Sequence, residues 1–260
     1  MRFRGRTAIV TGAAQGIGYA TAEILAREGA NVVLADLNLE KTKIAADRLR
    51  VSGGKTLEAA VDVTAAAQVG EMVAQALAKF GAIDILVNNA GGSGAASATE
   101  IESVSDEIWE RVVSLNLKST FLCCRAVVPH MKSRRYGRIV NVSSGIAKGT
   151  GRATGTAGAV LPYASAKAGV LGLTFTLAKL LAPSGITVNA VVPGFVLTEP
   201  GARVRAWFDG LPQEARSALL SRTPMGRAGE AGEVAQAIAF LASAEASFVS
   251  GAALDVTGAA

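Results

Sequence analysis

Short apolar runs alternate with helical stretches along most of this chain, and this alternation limits the folds open to it. The runs predicted as buried strands are Thr7–Val10, Asn31–Ala35, Thr56–Val61, Ile83–Val87, Arg138–Val142, Thr187–Val192 and Ala253–Val256. Helical periodicity fills the intervals, with stretches ending near Glu28 and covering 39–49, 66–80, 105–131, 162–181 and 232–241. Strands and helices that alternate at these lengths form right-handed βαβ units around a parallel sheet. The sequence therefore predicts an α/β fold: a single doubly wound domain over residues 1–260, with a central parallel sheet of about seven strands and helices on both faces.

The composition agrees with one core and argues against several classes of protein. The chain has 260 residues, of which 50% are hydrophobic, enough for one sizeable core. Its 26 Lys plus Arg against 21 Asp plus Glu form no long basic run, so a nucleic-acid partner is not indicated. No uninterrupted apolar run approaches the roughly 18 residues of a membrane span. The only cysteines, Cys123 and Cys124, are adjacent and suit buried thiols in a reducing compartment. We expect a cytoplasmic protein without a membrane partner.

A glycine-rich turn follows the first strand. The segment Gly12-Ala13-Ala14-Gln15-Gly16-Ile17-Gly18 joins that strand to an amphipathic helix. Glycines let the backbone approach a phosphate closely, and the start of the helix offers free N–H groups and the positive end of its dipole. The G-x-x-x-G-x-G spacing in a strand–turn–helix setting predicts a Rossmann-type pyrophosphate site. Its predicted residues are Gly12, Gln15, Gly16, Ile17 and Gly18.

Polar residues follow the carboxyl ends of the next strands, where sheets of this kind bind ligands. Asp36 ends the second strand, and a carboxylate there accepts hydrogen bonds from an adenosine ribose and repels a 2′-phosphate. No Arg or Lys lies in the glycine-rich turn, and Leu37 follows Asp36, so the pattern predicts NAD rather than NADP. The alternative for Asp36 is a helix-capping acid. Asp62-Val63 and Asn88-Asn89-Ala90-Gly91 hold the corresponding places after the third and fourth strands.

Tyr163 and Lys167 form the predicted catalytic pair. Residues four apart lie on the same face of a helix, and the helix here is predicted to open at Pro162. A phenol has a pKa of roughly 10, and an ammonium beside it favours the phenolate. The pair can therefore move a proton to or from a substrate oxygen, with a hydroxyl of Ser143-Ser144 at the tip of the preceding strand as a hydrogen-bond partner. The alternative is a Tyr and a Lys on a solvated helix face.

Two further polar residues lie in the helical stretch 105–131. Asn116 stands among apolar residues, and a buried amide needs hydrogen-bond partners, so it is either a site residue or a satisfied core side chain. His130 is the single histidine and is expected to be structural or on the surface. One histidine provides neither a Ser-His-Asp triad nor a histidine-based metal site, so no metal is expected.

With these motifs in order, nearly the whole chain resembles the short-chain dehydrogenase/reductase family of NAD(P)-dependent oxidoreductases. The matching pieces are Thr11-Gly12-x-x-x-Gly16-x-Gly18, Asp62-Val63, Asn88-Asn89-Ala90-Gly91, Asn116, Ser144, Tyr163-x-x-x-Lys167 and Pro193-Gly194 with Thr198. The resemblance implies that Tyr163 is the general acid/base and that Ser144 polarises the substrate oxygen. It also implies that Lys167 lowers the pKa of Tyr163 and holds the nicotinamide ribose, while Asn116 orients a water that connects Lys167 to solvent.

The resemblance also implies the cofactor residues beyond the glycine-rich turn. Those expected to contact the ribose, adenine and nicotinamide ends are Asp36, Leu37, Asp62, Val63, Asn89, Ala90, Gly91, Tyr163, Lys167, Pro193, Gly194, Val196 and Thr198. The C-terminal stretch 255–259 departs from the V-D-G-G of many members. That end usually packs between subunits, so the resemblance implies a homotetramer or homodimer whose interface differs in detail.

Two segments are expected to wall the substrate site: 145–161 and 199–225. The first makes the spacing from Ser144 to Tyr163 longer than is usual in the family, so no substrate is carried over from it. Besides Ser144 and Tyr163, the candidate substrate residues are Arg152, Arg203, Arg205 and Trp207. Arginine binds planar carboxylates in a bidentate manner, so an anionic or strongly hydroxylated substrate is one hypothesis. The alternative is that these arginines are solvated surface charges.

The function predicted from the sequence is hydride transfer between NAD and a small-molecule secondary alcohol or ketone. The substrate could be a sugar, a polyol or an anionic hydroxy compound. A 3-oxoacyl-thioester reductase is an alternative, against which Asp36 and the long loop argue, because such reductases usually use NADP. A catalytically silent nucleotide-sensing regulator is an alternative of another class. It predicts loss of Tyr163, Lys167 or Ser144, and all three are present.

Overall fold

A seven-stranded parallel sheet forms the centre of the structure. The structure is a computed structural model, and it describes residues 1–93, 101–149, 157–200 and 202–260. Its strands are β1 (Thr7–Thr11), β2 (Asn31–Asp36), β3 (Lys55–Ala60), β4 (Ile85–Asn88), β5 (Gly137–Val142), β6 (Ile186–Pro193) and β9 (Ala253–Val256). They lie in the order β3-β2-β1-β4-β5-β6-β9, and every pairing is parallel. A short pair, β7 (Val196–Leu197) and β8 (Gly229–Glu230), lies outside this sheet. The predicted α/β class and parallel sheet are confirmed.

Helices cover both faces of the sheet. The α-helices are α1 (Gly16–Arg27), α2 (Leu39–Val51), α3 (Ala66–Phe80), α4 (Asp106–Val113), α5 (Ser119–Arg134), α6 (Ala157–Leu181), α7 (Arg203–Asp209), α8 (Gln213–Leu220) and α9 (Ala231–Ala242). Short 3₁₀ turns cover Ile101–Ser103, Gly145–Lys148 and Ala182–Ser184. Buried residues of α1, α2 and α9 pack on one face of the sheet, and those of α3, α5 and α6 pack on the other.

The central strands β1 and β4 are mostly apolar and buried along their whole length, because both of their faces are covered. Along β1, Ala8 and Val10 face the layer of α1 and α9, whereas Ile9 between them faces the layer of α3 and α5. All three side chains are fully buried. Burying a side chain of the size of Val or Ile stabilises the fold by about 1.5–3 kcal/mol. This two-sided burial fixes the strand ends, and with them the residues that follow each strand.

Two helices differ from the sequence-based expectation. The stretch 105–131 is divided by a π-helical turn, Ser114–Lys118, which holds Asn116. The helix bearing Tyr163 begins at Ala157, so Pro162 lies inside it and does not open it. Proline lacks an N–H and so removes one helical hydrogen bond, but its fixed φ suits a helix, which allows a preceding turn to form. The expectation that Pro162 begins the helix is therefore wrong.

His130 and the two cysteines contribute to the structure and do not line the cleft described below. His130 Nε2 accepts a hydrogen bond of 3.2 Å from the Ile83 N–H, which ties α5 to the chain before β4. Cys123 and Cys124 are buried free thiols, and burial raises the pKa of each to about 12. These thiols are inert at neutral pH.

Two helical stretches, Asp106–Arg134 and Leu161–Ser184, are long and apolar enough among the described residues to cross a membrane. This criterion rests on length and composition alone, and core helices of soluble proteins also meet it. In this fold 44% of the most apolar 18-residue window of the first stretch, and 33% of that of the second, are buried inside the structure. Both stretches form part of the layer that covers the sheet, and their outer faces keep exposed apolar side chains.

Candidate active site

A cleft of about 1070 Å³ lies beyond the carboxyl ends of the strands, where the strand order reverses between β1 and β4. This volume is just above the roughly 300–1,000 Å³ common for ligand pockets. The predicted site residues that line it are Gly12, Gln15, Gly16, Ile17, Asp36, Leu37, Asp62, Val63, Asn89, Ala90, Gly91, Ser144, Tyr163, Lys167, Pro193, Gly194, Val196 and Thr198. The structure therefore brings most of them together at one edge of the sheet.

The glycine-rich turn is closely packed against the segment after β4. Gly12 has a φ of 64°, in the left-handed region, and a Cβ atom there would lie 2.9 Å from Asn89 Nδ2. The Asn89 Nδ2 donates to the carbonyl oxygens of Thr11 and Gly12 at 3.0 and 3.1 Å. Gly18 does not line the cleft, but a Cβ on it would lie 2.1 Å from the Gly12 carbonyl oxygen. Glycine is thus required at both positions for the backbone to pack this closely.

A carboxylate from a distant part of the chain meets the start of α1. The Gly16 N–H donates to both carboxylate oxygens of Glu199, at 3.2 and 3.1 Å. Gly16 is the first residue of α1, so this is an N–H group that the helix itself leaves without a partner. The sequence offered no signal for this contact, because the two residues are 183 positions apart.

Asp36 is held in place by backbone donors at the end of β2. Its Oδ2 accepts from the Ala14 N–H at 3.2 Å, and its Oδ1 accepts from the Asn38 N–H at 3.0 Å. The first bond fixes the carboxylate against the glycine-rich turn. At the same edge of the cleft, Lys41 Nζ donates to Gln15 Oε1 at 3.1 Å. Lys41 lines the cleft and was missed by the sequence analysis, which considered only neighbours in the chain.

Lys167 is buried beside Tyr163 on α6. Its Nζ lies 5.6 Å from the centroid of the Tyr163 ring and donates to the Val142 carbonyl oxygen at 2.8 Å. Burial of this side chain lowers its pKa to about 8. The Lys167 carbonyl oxygen accepts from the Ser143 hydroxyl at 2.8 Å, which ties α6 to the end of β5. The next residue, Ser144, lines the cleft, and its Oγ accepts from the Ile146 N–H at 3.4 Å.

Asn116 is a fully buried residue of the π-helical turn and does not line the cleft. Its Oδ1 accepts from the Gly92 N–H at 3.0 Å, and its Nδ2 donates to the carbonyl oxygens of Gly92 and Val112, each at 2.9 Å. A Cβ on Gly91 would lie 2.5 Å from Asn116 Oδ1 and 3.2 Å from Lys167 Nζ. Asn116 therefore fixes the floor of the cleft next to Lys167. Turns of π-helix are frequent at functional sites.

The candidate substrate residues are only partly placed. Arg152 lies outside the described residues, and only the backbone of Arg203, the first residue of α7, is described. Arg205 Nε donates to both carboxylate oxygens of Asp209, at 3.0 and 2.9 Å, and Trp207 packs edge-to-face on Phe195. Neither Arg205 nor Trp207 lines the cleft. The lining residues that the sequence analysis did not name include Ser93, Leu115, Phe195, Ala202 and Val204.

Known proteins resemble the chain over almost its whole length. A family model described as Enoyl-(Acyl carrier protein) reductase matches residues 12–258. The cis-4-hydroxycyclohexanecarboxylate dehydrogenase of Sinomonas cyclohexanicum is 42% identical over 256 residues, covering 98% of this chain and 96% of its own. The 3-oxoacyl-(acyl-carrier-protein) reductase FabG of Thermotoga maritima is 41% identical over 260 residues, covering 99% and 98%.

A solved structure has the same fold. The crystal structure of levodione reductase superposes with a TM-score of 0.89 at 33% sequence identity, over 99% of this chain and 98% of that one. That structure therefore shares the α/β fold described above. The chain therefore belongs to the short-chain dehydrogenase/reductase family and is an oxidoreductase that acts on an alcohol or the matching ketone.

Proposed function

We propose that this chain is a cytoplasmic, NAD-dependent dehydrogenase that oxidises a secondary alcohol or reduces the matching ketone. The observation that carries the cofactor preference is the Asp36 carboxylate, held at the cleft edge by the N–H groups of Ala14 and Asn38. A carboxylate fixed in this way accepts hydrogen bonds from ribose hydroxyls but opposes a 2′-phosphate.

The cleft fits a nicotinamide dinucleotide. A Cβ would fill the cradle at Gly12, and the Gly16 N–H points to an anion already, since a carboxylate meets it. In our proposal, the glycine-rich turn holds the pyrophosphate and Asp36 holds the adenosine ribose. Among the residues that line the cleft, Asp62 and Val63 would hold the adenine, and residues 89–91, Pro193, Gly194, Val196 and Thr198 would hold the nicotinamide end. When bound, the nicotinamide accepts or supplies the hydride.

Residues of the chain itself transfer the proton. In the oxidation direction, the Tyr163 phenolate takes the proton of the substrate alcohol, and in the reduction direction the phenol returns it. Lys167 favours the phenolate because its ammonium lies beside the ring. Ser144 at the cleft wall binds the substrate oxygen and orients it toward Tyr163. Asn116 acts through its bonds to Gly92 and positions the cleft floor beside Lys167.

The substrate class is supported by the relatives. One of them is named for a ring alcohol that carries a carboxylate, which favours an anionic hydroxy compound. Arg152 and Arg203 remain the candidates that would bind the anion, because Arg205 is paired with Asp209. The second candidate, a 3-oxoacyl-thioester reductase, is favoured by the resemblance to FabG. Comparing kcat/KM on cis-4-hydroxycyclohexanecarboxylate and on an acetoacetyl thioester distinguishes the two, and our proposal predicts the higher value for the hydroxy acid.

The cofactor preference is tested by kinetics with both dinucleotides. We expect kcat/KM with NAD to exceed that with NADP by at least about tenfold, since a like-charge contact of ~1.4 kcal/mol has this effect. Asp36→Asn keeps the shape of the side chain and removes its charge, so the ratio should fall in that variant. Equal or better use of NADP by the wild-type enzyme would contradict the proposal.

Glu199 is expected to weaken cofactor binding. Its carboxylate occupies the Gly16 N–H that the pyrophosphate is proposed to use, and two anions compete for that donor. We expect Glu199→Gln to tighten NAD binding by about 3- to 10-fold, measured as Kd by protein fluorescence during an NAD titration. The matched control is Glu214→Gln, which removes an exposed acid of α8. Unchanged or weaker binding in Glu199→Gln would show that the carboxylate does not compete.

We propose that the chain assembles as a homotetramer or homodimer through the outer faces of α4, α5 and α6. Phe121, Phe175 and Leu180 are 43%, 41% and 64% exposed there, and large exposed apolar patches mark interaction sites. Light scattering should give a mass of two or four chains, and Phe175→Glu should lower it. A monomeric wild-type protein at micromolar concentration would contradict the assembly.

A further inference from the structure

Lys41 places a cation at the edge of the cleft that Asp36 also occupies. Lys41 lies in the first turn of α2, whose start is fixed by a 3.0 Å bond from the Lys41 N–H to the Asn38 side chain. The Asn38 N–H in turn donates to Asp36. From this anchored position the Lys41 ammonium reaches Gln15 in the glycine-rich turn, at 3.1 Å. The ammonium and the Asp36 carboxylate thus both line the edge where the adenosine ribose is proposed to lie.

The partner of Lys41 is neutral. Among residues 1–93, 101–149, 157–200 and 202–260, no carboxylate forms an ion pair with it. Lys43, two positions further along the same helix, differs because it pairs with Glu40 at 3.3 Å. The charge of Lys41 is therefore not offset by an acid of the described chain, and an anion at this edge of the cleft would be its only strong partner. A phosphate is the natural anion there, because the adenosine ribose proposed to lie at this edge carries a 2′-phosphate in NADP.

We propose that Lys41 is a specificity-determining residue that binds the 2′-phosphate of NADP and sustains a secondary NADP-dependent activity. This inference rests on the proposed function, in which the adenosine ribose lies at Asp36. With NAD, the ribose hydroxyls bond to Asp36 and require no cation. With NADP, the added phosphate meets the Asp36 carboxylate and the Lys41 ammonium together, and the ammonium offsets part of the repulsion. Lys41 therefore affects kcat/KM with NADP and leaves kcat/KM with NAD nearly unchanged.

The test compares the wild-type enzyme with Lys41→Met, which keeps the length of the side chain and removes its charge. We expect kcat/KM with NADP to fall by about 5- to 20-fold and kcat/KM with NAD to change by less than about twofold. Lys43→Met is the matched control, with the same change of charge on the same helix. It should change neither value by more than about twofold. The Kd of NADP, measured by fluorescence titration, gives the same comparison if turnover with NADP is slow.

A second pair of variants isolates the two opposing charges. Asp36→Asn should raise kcat/KM with NADP, and Asp36→Asn combined with Lys41→Met should lose most of that gain. The proposal is overturned if Lys41→Met lowers kcat/KM equally with both cofactors, or if Lys43→Met has the same effect as Lys41→Met. It is also overturned if the double variant keeps the full gain in kcat/KM with NADP that Asp36→Asn alone shows. Failure of the proposed function would be a different result: a wild-type enzyme whose kcat/KM with NADP is at least as high as its kcat/KM with NAD.

Discussion

Tyr163→Phe is expected to lower kcat by at least about 10³-fold while leaving the affinity for NAD within a few-fold of wild type. The substitution removes the proton that the phenol exchanges with the substrate oxygen and changes almost no volume. General acid–base catalysis contributes about 10²–10⁴-fold. The contacts proposed for the pyrophosphate and the adenosine ribose lie at the glycine-rich turn and at Asp36, away from this ring. Initial rates at saturating substrate give kcat, and a fluorescence titration gives Kd for NAD.

Tyr136→Phe is the matched control for this experiment. Tyr136 lies just before β5, its ring contacts the guanidinium groups of Arg6 and Arg138, and it does not line the cleft. It should keep wild-type turnover. Near-normal activity of Tyr163→Phe would show that another group carries the proton, and a large loss in both variants would show that the effect is structural.

Lys167→Met is expected to lower both turnover and NAD affinity, while the cofactor-free protein at pH 7 stays as stable as wild type or becomes more stable. Turnover falls because the phenolate loses its neighbouring ammonium, by about 10²-fold or more. Affinity falls because Lys167 is proposed to hold the nicotinamide ribose. Stability behaves differently because the buried charge is unfavourable in the folded protein.

The direction of this stability change follows from the pKa of Lys167. Burial lowers this pKa from its ordinary value of 10.5 to about 8. The folded chain therefore binds this proton less tightly than the unfolded chain, and the contribution of this group to stability rises as the pH passes from about 8 to about 10.5. Below pH 8 the full cost of about 3 kcal/mol remains. Removing the charge relieves that cost, and the Val142 carbonyl loses its partner, which costs about 1–3 kcal/mol.

Thermal unfolding at pH 7 and pH 10 measures this contribution. Lys179→Met is the control, since Lys179 is an exposed residue of the same helix. It should change neither Tm nor turnover appreciably. A Lys167→Met variant that keeps wild-type turnover and NAD affinity would remove Lys167 from the proposed mechanism.

The strand pattern and the residues at strand ends could be predicted from the sequence because they depend on local periodicity. The apolar run of β1 and the glycine-rich turn after it imply where the cleft lies, and parallel pairing brings Asp36 and Asn89 to the same edge. The spacing of four between Tyr163 and Lys167 places both on one face of α6. In each case a short stretch of chain is enough, since the geometry of a helix or a strand fixes the relation.

Contacts between distant segments could not be predicted in the same way. Lys41 reaches Gln15 across 26 positions, and Glu199 reaches Gly16 across 183. Neither residue stands in a motif that marks the contact, so the sequence analysis treated the adenosine end of the site as free of basic residues. The hydrogen bonds of Asn116 to Gly92 depend likewise on tertiary packing, which places the π-helical turn beside the floor of the cleft.

The residues at the substrate end of the site were the hardest to predict from the sequence. Arg205 was a candidate by its position in 199–225, but it and Asp209 are four apart on α7 and pair with one another. Such i, i+4 pairs are common on solvated helix faces. Among the described residues of the same segment, those that line the cleft are Ala202 and Val204, which are small or aliphatic and give no chemical signal in a sequence.

The central claim is that Tyr163 exchanges the proton in an NAD-dependent oxidation of a secondary alcohol. It is tested most directly by the absorbance of reduced nicotinamide, followed with wild-type enzyme and with Tyr163→Phe in parallel, on NAD and a panel of secondary alcohols that includes ring hydroxy acids. We expect the absorbance to rise with the wild-type enzyme on at least one alcohol and to stay flat with the Phe variant on the same alcohol. No rise on any alcohol with the wild-type enzyme, or an equal rise with both proteins, would contradict it.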